Sequence, residues 1–243
     1  MRPNLSLHLA PDDHTRMTNR ITPSNDETVV PPVRGFLHTP ENATGDALVL
    51  THGAGGNYDA KLLVAVSEAF CDAGFLVLRI NLPFRQERPF GPPSPGSAAR
   101  DREGLKRAIE LMKNELMKNK SAGKIFLGGH SYGGRQATML AAENAGLVDG
   151  LLLFSYPLHP PRKPTQMRTA HFPDLRTPSL FVHGSRDPFG LLEELRPALE
   201  LIPANHDLLS IEGCGHDLIG KKASPSFSSN VVSAFRKFFG IKI

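Results

Sequence analysis

A serine lies at the centre of the motif Gly129-His130-Ser131-Tyr132-Gly133. The apolar run Lys124–Gly128 precedes the motif, and Gly134–Leu140, which has a sequence typical of a helix, follows it. Because no loop separates the two, the serine must lie on a sharp, strained turn between a buried strand and a helix. Such a turn presents the hydroxyl of Ser131 to a substrate carbonyl. An ordinary glycine-rich turn is the alternative, and the flanking strand and helix favour a reactive serine.

A reactive serine needs a base that is neutral near pH 7, and histidine is the side chain suited to that task. His216 follows the last predicted strand, Asp207–Ile211. It is the only histidine placed there, so we assign it as the base of Ser131. The chemistry would be acyl transfer, in which His216 takes the serine proton and returns it to the leaving group.

A carboxylate must hold the other ring nitrogen of His216. Asp187 follows the predicted strand Ser179–His183, at a spacing that suits this third position. Asp217 adjoins His216, but successive side chains rarely face each other, and Asp174 lies in an irregular segment. The candidate catalytic residues, in chain order, are therefore Ser131, Asp187 and His216.

Backbone N–H groups must hold the negative charge that develops on the substrate oxygen. Tyr132 directly follows the serine and supplies the first donor. The loop His52-Gly53-Ala54-Gly55-Gly56 follows a predicted strand, and its glycines permit close backbone approach. We expect the second donor to be the Ala54 N–H, with the Gly55 N–H as the alternative. His52, Gly53 and Gly55 would support this loop, His52 through hydrogen bonds rather than proton transfer.

These residues depend on strands and helices that alternate along the chain. The pattern predicts an α/β protein with a mostly parallel sheet covered by helices on both faces. Ligand sites in such sheets lie at the carboxyl ends of the strands, where all of the candidate residues fall. The predicted strands are Thr28–Thr39 (broken by Pro31-Pro32), Ala47–Thr51, Phe75–Ile80, Lys124–Gly128, Leu147–Phe154, Ser179–His183 and Asp207–Ile211. The predicted helices are Asp59–Ala73, a helix through Leu105–Leu116, the helix after Ser131, Pro188–Ile202 and a terminal helix through Val231–Phe239.

The 243 residues, 40% of them hydrophobic, suit one sizeable domain. We assign residues 28–243 to that domain and expect the polar residues 1–27 to form a loosely ordered tail. The connection Pro157–Pro178 is proline-rich and lacks a helical period, so no large cap domain is expected. The site should then be fairly open, framed by this connection and the Arg85–Gly96 loop.

Several functional classes are disfavoured by composition. The net charge of +4 is dispersed, without a basic run interleaved with aromatic residues, so no nucleic-acid partner is expected. Histidines and cysteines lack metal-ligand spacing, and no nucleotide-binding loop is present, so we predict no metal and no cofactor. No apolar stretch has transmembrane length. Cys71 and Cys214 indicate no disulfide framework, which favours the cytoplasm. The oligomeric state is left open.

Three further residues are candidates for lining the pocket. Arg79 ends an apolar strand, where an unpaired charge is costly, so a carboxylate partner is expected. Arg135 lies in the first helical turn after Ser131, where a cation opposes the helix dipole. We expect it to pair with a carboxylate or, as the less favoured alternative, to serve an anionic substrate. His159 follows a strand and is a candidate for the pocket or for a structural role. His130, beside the nucleophile, is interpreted as a core histidine.

The ordered Ser131, Asp187 and His216 with the His52–Gly56 loop resemble an α/β hydrolase over nearly all of Thr28–Ile243. More narrowly, three segments resemble the subgroup related to the testis-expressed protein Tex30: Thr51–Gly56, Leu78–Phe84 and Phe154–Pro161. The Gly133-Gly134-Arg135 continuation is similar to that subgroup as well. Dienelactone-hydrolase-like enzymes share the general layout. The resemblance implies the fold and the Ser-Asp-His triad, and it names no substrate.

Two functions follow from these observations. The first is a serine hydrolase that cleaves a carboxylic ester or thioester, on a small molecule or a larger acylated substrate, through an acyl-enzyme. The second is an interaction module on a hydrolase scaffold with little or no turnover, since a fold does not by itself imply a function. The complete set of Ser131, Asp187 and His216 favours the first.

Overall fold

A computed structural model describes residues 19–219 and 225–242, and within these ranges eight strands form one sheet. The strands in chain order are β1 (Arg20–Asp26), β2 (Val33–Thr39), β3 (Ala47–Thr51), β4 (Leu76–Asn81), β5 (Ile125–His130), β6 (Gly150–Phe154), β7 (Ser179–Gly184) and β8 (His206–Ile211). Their spatial order is β1-β2-β4-β3-β5-β6-β7-β8. Strand β2 runs antiparallel to both of its neighbours, and the other neighbouring pairs in this sheet are parallel. The predicted mostly parallel sheet is confirmed.

Helices cover both faces of the sheet, as predicted. They are α1 (Lys61–Asp72), α2 (Pro83–Glu87), α3 (Ser97–Lys118), α4 (Tyr132–Glu143), α5 (Leu192–Leu199) and α6 (Pro225–Phe239), with a single 3-10 turn at Phe172–Asp174. The apolar faces of α1 and α6 lie on one side of the sheet, and those of α3, α4 and α5 lie on the other. Among the described helices, none is both long and apolar enough to cross a membrane.

Burial on both faces explains the composition of the central strands. Every residue of β3 and β6 is buried, so each strand is a continuous apolar run rather than an alternating one. The helices show the complementary pattern. In α1, Leu62, Val66 and Phe70 repeat every four residues and are buried, so one stripe of the helix faces the sheet.

A cluster of phenylalanines fills the core between α1, α6 and the sheet. The Phe235 ring lies 5.0 Å from that of Phe70, 5.7 Å from Phe75 and 4.8 Å from Phe126, measured between centroids. All three contacts are edge-to-face, the geometry that aromatic quadrupoles prefer. Phe235 therefore ties the last helix to the first helix and to the centre of the sheet.

The N-terminal prediction requires correction. Residues 1–27 were expected to form a loosely ordered tail, but residues 20–26 form β1, which pairs antiparallel with β2. Residues 1–18 lie outside the described residues. The β1 side chains are largely exposed, so this edge strand is held by backbone hydrogen bonds and carries no alternating hydrophobic pattern.

Other differences concern the ends of elements. Strand β2 begins at Val33, after the two prolines, because proline lacks the N–H that a strand ladder requires. Strand β6 begins only at Gly150, and α5 spans only Leu192–Leu199. The predicted Arg85–Gly96 loop overlaps the short helix α2, which begins at Pro83 with proline at its first position.

The connection between β6 and β7 carries only the 3-10 turn, and the predicted absence of a large cap domain is confirmed.

Truncating Phe235 tests the aromatic core. Phe235→Ala should lower the free energy of unfolding by ~3–5 kcal/mol, because it leaves a cavity among three rings. Urea denaturation followed by circular dichroism measures the loss. Phe90→Ala is the matched control, since Phe90 is 83% exposed. An equal loss in the two variants would contradict the assignment of Phe235 to the core.

Candidate active site

Ser131, His216 and Asp187 form a continuous chain of hydrogen bonds. His216 Nε2 lies 2.7 Å from Ser131 Oγ, and His216 Nδ1 lies 3.0 and 2.8 Å from the two carboxylate oxygens of Asp187. With the carboxylate as acceptor, Nδ1 carries the proton and Nε2 is left to accept the serine O–H. Asp187 is fully buried, whereas Ser131 and His216 reach the surface of a cavity. The arrangement can deprotonate a serine hydroxyl and stabilise the resulting imidazolium.

The sheet brings these three residues together from distant parts of the chain. Ser131 follows β5, Asp187 follows β7 and His216 follows β8. Strands β5, β6, β7 and β8 are consecutive parallel neighbours, so their carboxyl ends lie on one edge. The structure thus places the three residues at the edge where the sequence analysis expected them.

The turn at Ser131 is strained and tightly packed. Ser131 has φ 51° and ψ −114°, a left-handed backbone conformation that costs a non-glycine residue about 1–3 kcal/mol. A Cβ on Gly129 would lie 2.6 Å from the backbone of Gly133 and of Gly134. A Cβ on Gly133 would lie 2.5 Å from the carbonyl oxygen of His52. Glycine is therefore required on both sides of the serine.

The loops that carry Asp187 and His216 are joined by backbone contacts. Arg186 N–H donates to the Cys214 carbonyl at 2.9 Å, and Ser185 Oγ accepts the Gly213 N–H at 2.9 Å. A Cβ on Gly184 would lie 2.5 Å from the Cys214 carbonyl oxygen. These backbone contacts fix the distance between the two loops that carry the acid Asp187 and the base His216.

Phe189 and His130 hold His216, the first at its ring and the second at its backbone carbonyl. The ring of Phe189 stacks on the His216 imidazole, with centroids 4.2 Å apart and planes 31° apart. Phe189 also donates its backbone N–H to Asp187 at 2.9 Å. Behind the base, His130 Nε2 donates to the His216 carbonyl at 2.9 Å, and burial lowers the pKa of His130, so it stays neutral. His130 thus has the satisfied hydrogen bond expected of a core histidine, but its side chain is only partly buried and lines the cavity.

His52 orients the backbone of the glycine loop. Its Nε2 accepts the Leu82 N–H at 3.1 Å, so its Nδ1 carries the proton and donates to the Gly53 carbonyl at 2.8 Å. Burial lowers the pKa of His52 to about 4, which keeps the ring in this neutral form. In a trans peptide the N–H points opposite to the carbonyl, so the Ala54 N–H faces away from His52. Ala54 lines the same cavity as Ser131 and Tyr132.

Arg85 braces the same loop from outside. Its guanidinium donates to four backbone carbonyls, of Ala54 (2.7 Å), Gly56 (2.8 Å), Arg88 (3.0 Å) and Gly91 (2.9 Å). The planar fork of arginine can satisfy several carbonyls at fixed angles, which a lysine cannot. Arg85 therefore ties the loop after β3 to the segment after α2.

Asp101 connects the serine turn to α2 and α3. This fully buried carboxylate accepts the Tyr132 hydroxyl at 2.7 Å and the Phe84 N–H at 3.0 Å. Burial raises the pKa of Asp101, and the two hydrogen bonds oppose that shift. The side chain of Tyr132 is thereby held, while its backbone N–H lies in the first turn of α4, where no helical carbonyl accepts it.

A cavity of about 720 Å³ opens at Ser131. This volume suits a small-molecule substrate. Its walls are the glycine loop, three prolines and Phe189, with charged groups on the side chains of Arg135, Arg168 and Asp217. Among the described residues no group of three potential metal ligands occurs.

The three predicted pocket residues are placed differently. Arg135 lines the cavity, but Arg79 and His159 do not. Arg79 has the carboxylate partner expected for it, Asp59 at 2.8 Å, and also stacks on Phe36. His159 is buried beside the Pro160 carbonyl and Glu194, 2.8 and 3.3 Å from its two ring nitrogens.

The expected carboxylate partner of Arg135 is absent from the described part of the chain, where no acidic side chain lies within 4.0 Å of its guanidinium. That expectation was wrong for the described residues.

Sequence reasoning missed several residues of the site. Arg85 was placed only at the start of the loop that frames the site, and Asp101, Phe189 and Arg168 were not considered. A hint existed for Arg85, which belongs to the segment Leu82-Pro83-Phe84-Arg85 directly after a strand. No local pattern distinguishes Arg168, because its position depends on how the proline-rich connection folds back over the site.

The alignment with known families identifies the class of protein. Residues 44–238 match the family model described as an alpha/beta hydrolase domain, and the chain belongs to that family.

Solved structures agree on the fold. A dienelactone hydrolase from Anabaena variabilis superimposes with a TM-score of 0.71 at 19% identity, covering 92% of this chain and 98% of the other. An alpha/beta serine hydrolase without a lid, from Xanthomonas campestris, gives 0.70 at 16% identity, with coverages of 93% and 97%. The esterase Pf2001 of Pyrococcus furiosus gives 0.67 at 15% identity, with coverages of 98% and 97%. The predicted α/β-hydrolase fold is confirmed.

The glycine at position 129 provides a test of the serine turn. Gly129→Ala should destabilise the protein by about 1–3 kcal/mol or more, because the new methyl group meets backbone atoms that cannot move aside. The matched control is Gly55→Ala, where a Cβ would have no atom within 4 Å. Chemical denaturation of the two variants checks this, and equal stabilities would contradict the packing described for the turn.

Proposed function

We propose that the chain is a serine hydrolase that cleaves a carboxylic ester or a thioester through an acyl-enzyme intermediate. The observation that carries the proposal is the unbroken hydrogen-bond chain from Asp187 through His216 to Ser131, whose Ser131 end lines the cavity. The neighbours that are named as a dienelactone hydrolase, a serine hydrolase and an esterase support it.

The geometry supports the following sequence of steps. Ser131 Oγ attacks the substrate carbonyl while His216 Nε2 takes its proton. The N–H groups of Tyr132 and Ala54 hold the oxyanion. His216 then returns the proton to the departing alcohol or thiol, which leaves the acyl group on Ser131. Water, deprotonated by His216, releases the acid and restores the serine. Asp187 stays ionised and stabilises the imidazolium throughout.

Contacts to two backbone carbonyls of the glycine loop support the oxyanion site. The carbonyls of Gly53 and Ala54 are both held from the side away from the cavity, by His52 and Arg85. A fixed donor stabilises charge better than water does because it needs no reorganisation during the reaction. We propose the Ala54 N–H as the second donor, with the Gly55 N–H, which shares its peptide with the Ala54 carbonyl, as the alternative. The glycine at 53 lets the loop approach the serine, because a Cβ there would lie 3.3 Å from the Ser131 Cβ.

We further propose membership of the Tex30-related subgroup and a cytoplasmic location. The first rests on the three sequence segments Thr51–Gly56, Leu78–Phe84 and Phe154–Pro161. In the first two segments, His52 and the Leu82 N–H make the hydrogen bonds that hold the oxyanion loop. The proposed cytoplasmic location rests on two free cysteines, Cys71 and Cys214, which suit a reducing compartment.

Covalent labelling tests the function directly. A fluorophosphonate probe should label Ser131, and Ser131→Ala should abolish both labelling and hydrolysis of a short-chain aryl ester while leaving the circular dichroism spectrum unchanged. Mass spectrometry of the labelled peptide locates the adduct. Folded wild-type protein that is neither labelled nor active would instead indicate an interaction module on this scaffold.

The role of Asp187 gives an independent prediction. Asp187→Asn should lower kcat by on the order of 10³–10⁴-fold with little change in KM, because an amide no longer favours the His216 tautomer that accepts the serine proton. The control is Asp217→Asn, which alters an exposed neighbour of the base that makes no contact with its ring nitrogens. Comparable losses in the two variants would reject Asp187 as the acid.

A further inference from the structure

Two arginines face the cavity beside the proposed nucleophile. Arg135 lies in the first turn of α4, one helical turn after Ser131, and Arg168 reaches the same cavity from the connection between β6 and β7. Both are partly buried. The two cations therefore enter the cavity from different elements.

Within the described residues, neither arginine has a carboxylate partner. No acidic side chain lies within 4.0 Å of either guanidinium, whereas Arg79 and Arg102 nearby have carboxylate partners and Arg85 donates to several carbonyls. The buried Nε of Arg135 has no hydrogen-bond partner at all. The guanidinium of Arg168 makes one long contact, 3.4 Å to the Pro157 carbonyl. A buried donor left without an acceptor is costly, so these groups are poorly satisfied in the free protein.

The contacts around the two arginines hold them without neutralising them. The Tyr156 hydroxyl donates to the Arg168 backbone carbonyl at 2.7 Å and interacts with the Arg135 side chain. Burial raises the pKa of Tyr156, so this phenol stays neutral. Tyr132, the other phenol beside Arg135, is likewise kept neutral by burial and by Asp101.

The remaining neighbours agree with an uncompensated positive charge. Burial lowers the pKa of Arg168, and the charge of Arg135 lowers it further. The pKa of His171 falls to about 4 through burial and then through the charges of Arg135 and Arg102. Among the described residues, the one carboxylate on the cavity wall outside the Ser131–His216–Asp187 chain is Asp217, which adjoins His216 and is exposed.

We infer that Arg135 and Arg168 bind an anionic group, a carboxylate or a phosphate, on the substrate that Ser131 attacks. This inference rests on the proposed function, and it narrows the substrate from esters in general to esters that carry a negative charge. Guanidinium groups bind such oxyanions through paired, charge-assisted hydrogen bonds, and in a partly closed cavity those bonds are stronger than at an open surface. The anion would supply the acceptors that both side chains lack.

Matched esters test the inference. For a charge on the acyl side, kcat/KM for mono-para-nitrophenyl hexanedioate is compared with that for the neutral para-nitrophenyl hexanoate. For a charge on the alcohol side, kcat/KM for para-acetoxybenzoate and for para-acetoxyphenyl phosphate is compared with that for the neutral para-acetoxybenzamide. The wild-type protein should prefer at least one anionic ester over its neutral counterpart by about tenfold or more in kcat/KM. Which ester is preferred distinguishes carboxylate from phosphate and acyl side from alcohol side.

Substitutions then assign the preference to the two arginines. Arg135→Gln and Arg168→Gln should each lower kcat/KM for the preferred anionic ester about 10–100-fold, mainly through KM, and lower it for the neutral counterpart by a much smaller factor. Arg135→Lys should restore part of the loss. Arg176→Gln, at an exposed arginine outside the cavity, is the control. A wild-type preference for the neutral esters, or an equal loss on both kinds of ester, would overturn the inference.

A binding experiment separates failure of this inference from failure of the proposed function. Calorimetric titration of Ser131→Ala protein with hexanedioate and with inorganic phosphate requires no turnover. Binding of either anion that weakens at least about tenfold when Arg135→Gln is added supports the anion site, even if fluorophosphonate labelling of Ser131 were to fail. If Ser131 is labelled but neither anion binds and no anionic ester is preferred, the hydrolase proposal stands and the anion site is rejected.

Discussion

The contact between the serine turn and the loop after β3 is the constraint on which the site depends. At Gly133 the helix backbone lies so close to the His52 carbonyl that a single methyl group would not fit, and at Gly129 the strand backbone lies equally close to the helix that follows. These contacts compress the path from β5 to α4 and force Ser131 into a left-handed conformation. The strain is maintained because the surrounding backbone leaves no alternative path.

The rest of the structure serves to keep that contact in place. Strand β3 pairs with β5 in register, so the two segments that meet at the turn leave the sheet as neighbours. The phenylalanine cluster on one face and the larger apolar cluster on the other fix the sheet between the helices. On the far side of the turn, the joined loops after β7 and β8 bring Asp187 and His216 to Ser131 without relying on flexible side chains.

Those parts of the fold and site that arise from local patterns could be predicted. Apolar runs located the central strands, helical periodicity located α1 and α3, and the rule that ligands bind at the carboxyl ends of parallel strands selected Ser131, Asp187 and His216. The strand β1 was missed because an edge strand buries few side chains and therefore leaves no hydrophobic pattern. Arg85, Asp101 and Arg168 were missed because their partners are backbone groups or distant residues, and such pairings appear only after the chain has folded.

The two side chains that hold the glycine loop also determine how it responds to pH. Burial lowers the pKa of Arg85, but its guanidinium stays protonated at neutral pH. His52, with its pKa near 4, is neutral from mildly acidic conditions upward. Neither side chain changes its charge around neutral pH, so their contacts with the carbonyls of Gly53, Ala54 and Gly56 persist there. The hydrogen bonds that hold the glycine loop therefore do not depend on pH near neutrality, and the loop keeps there the shape that it takes on folding.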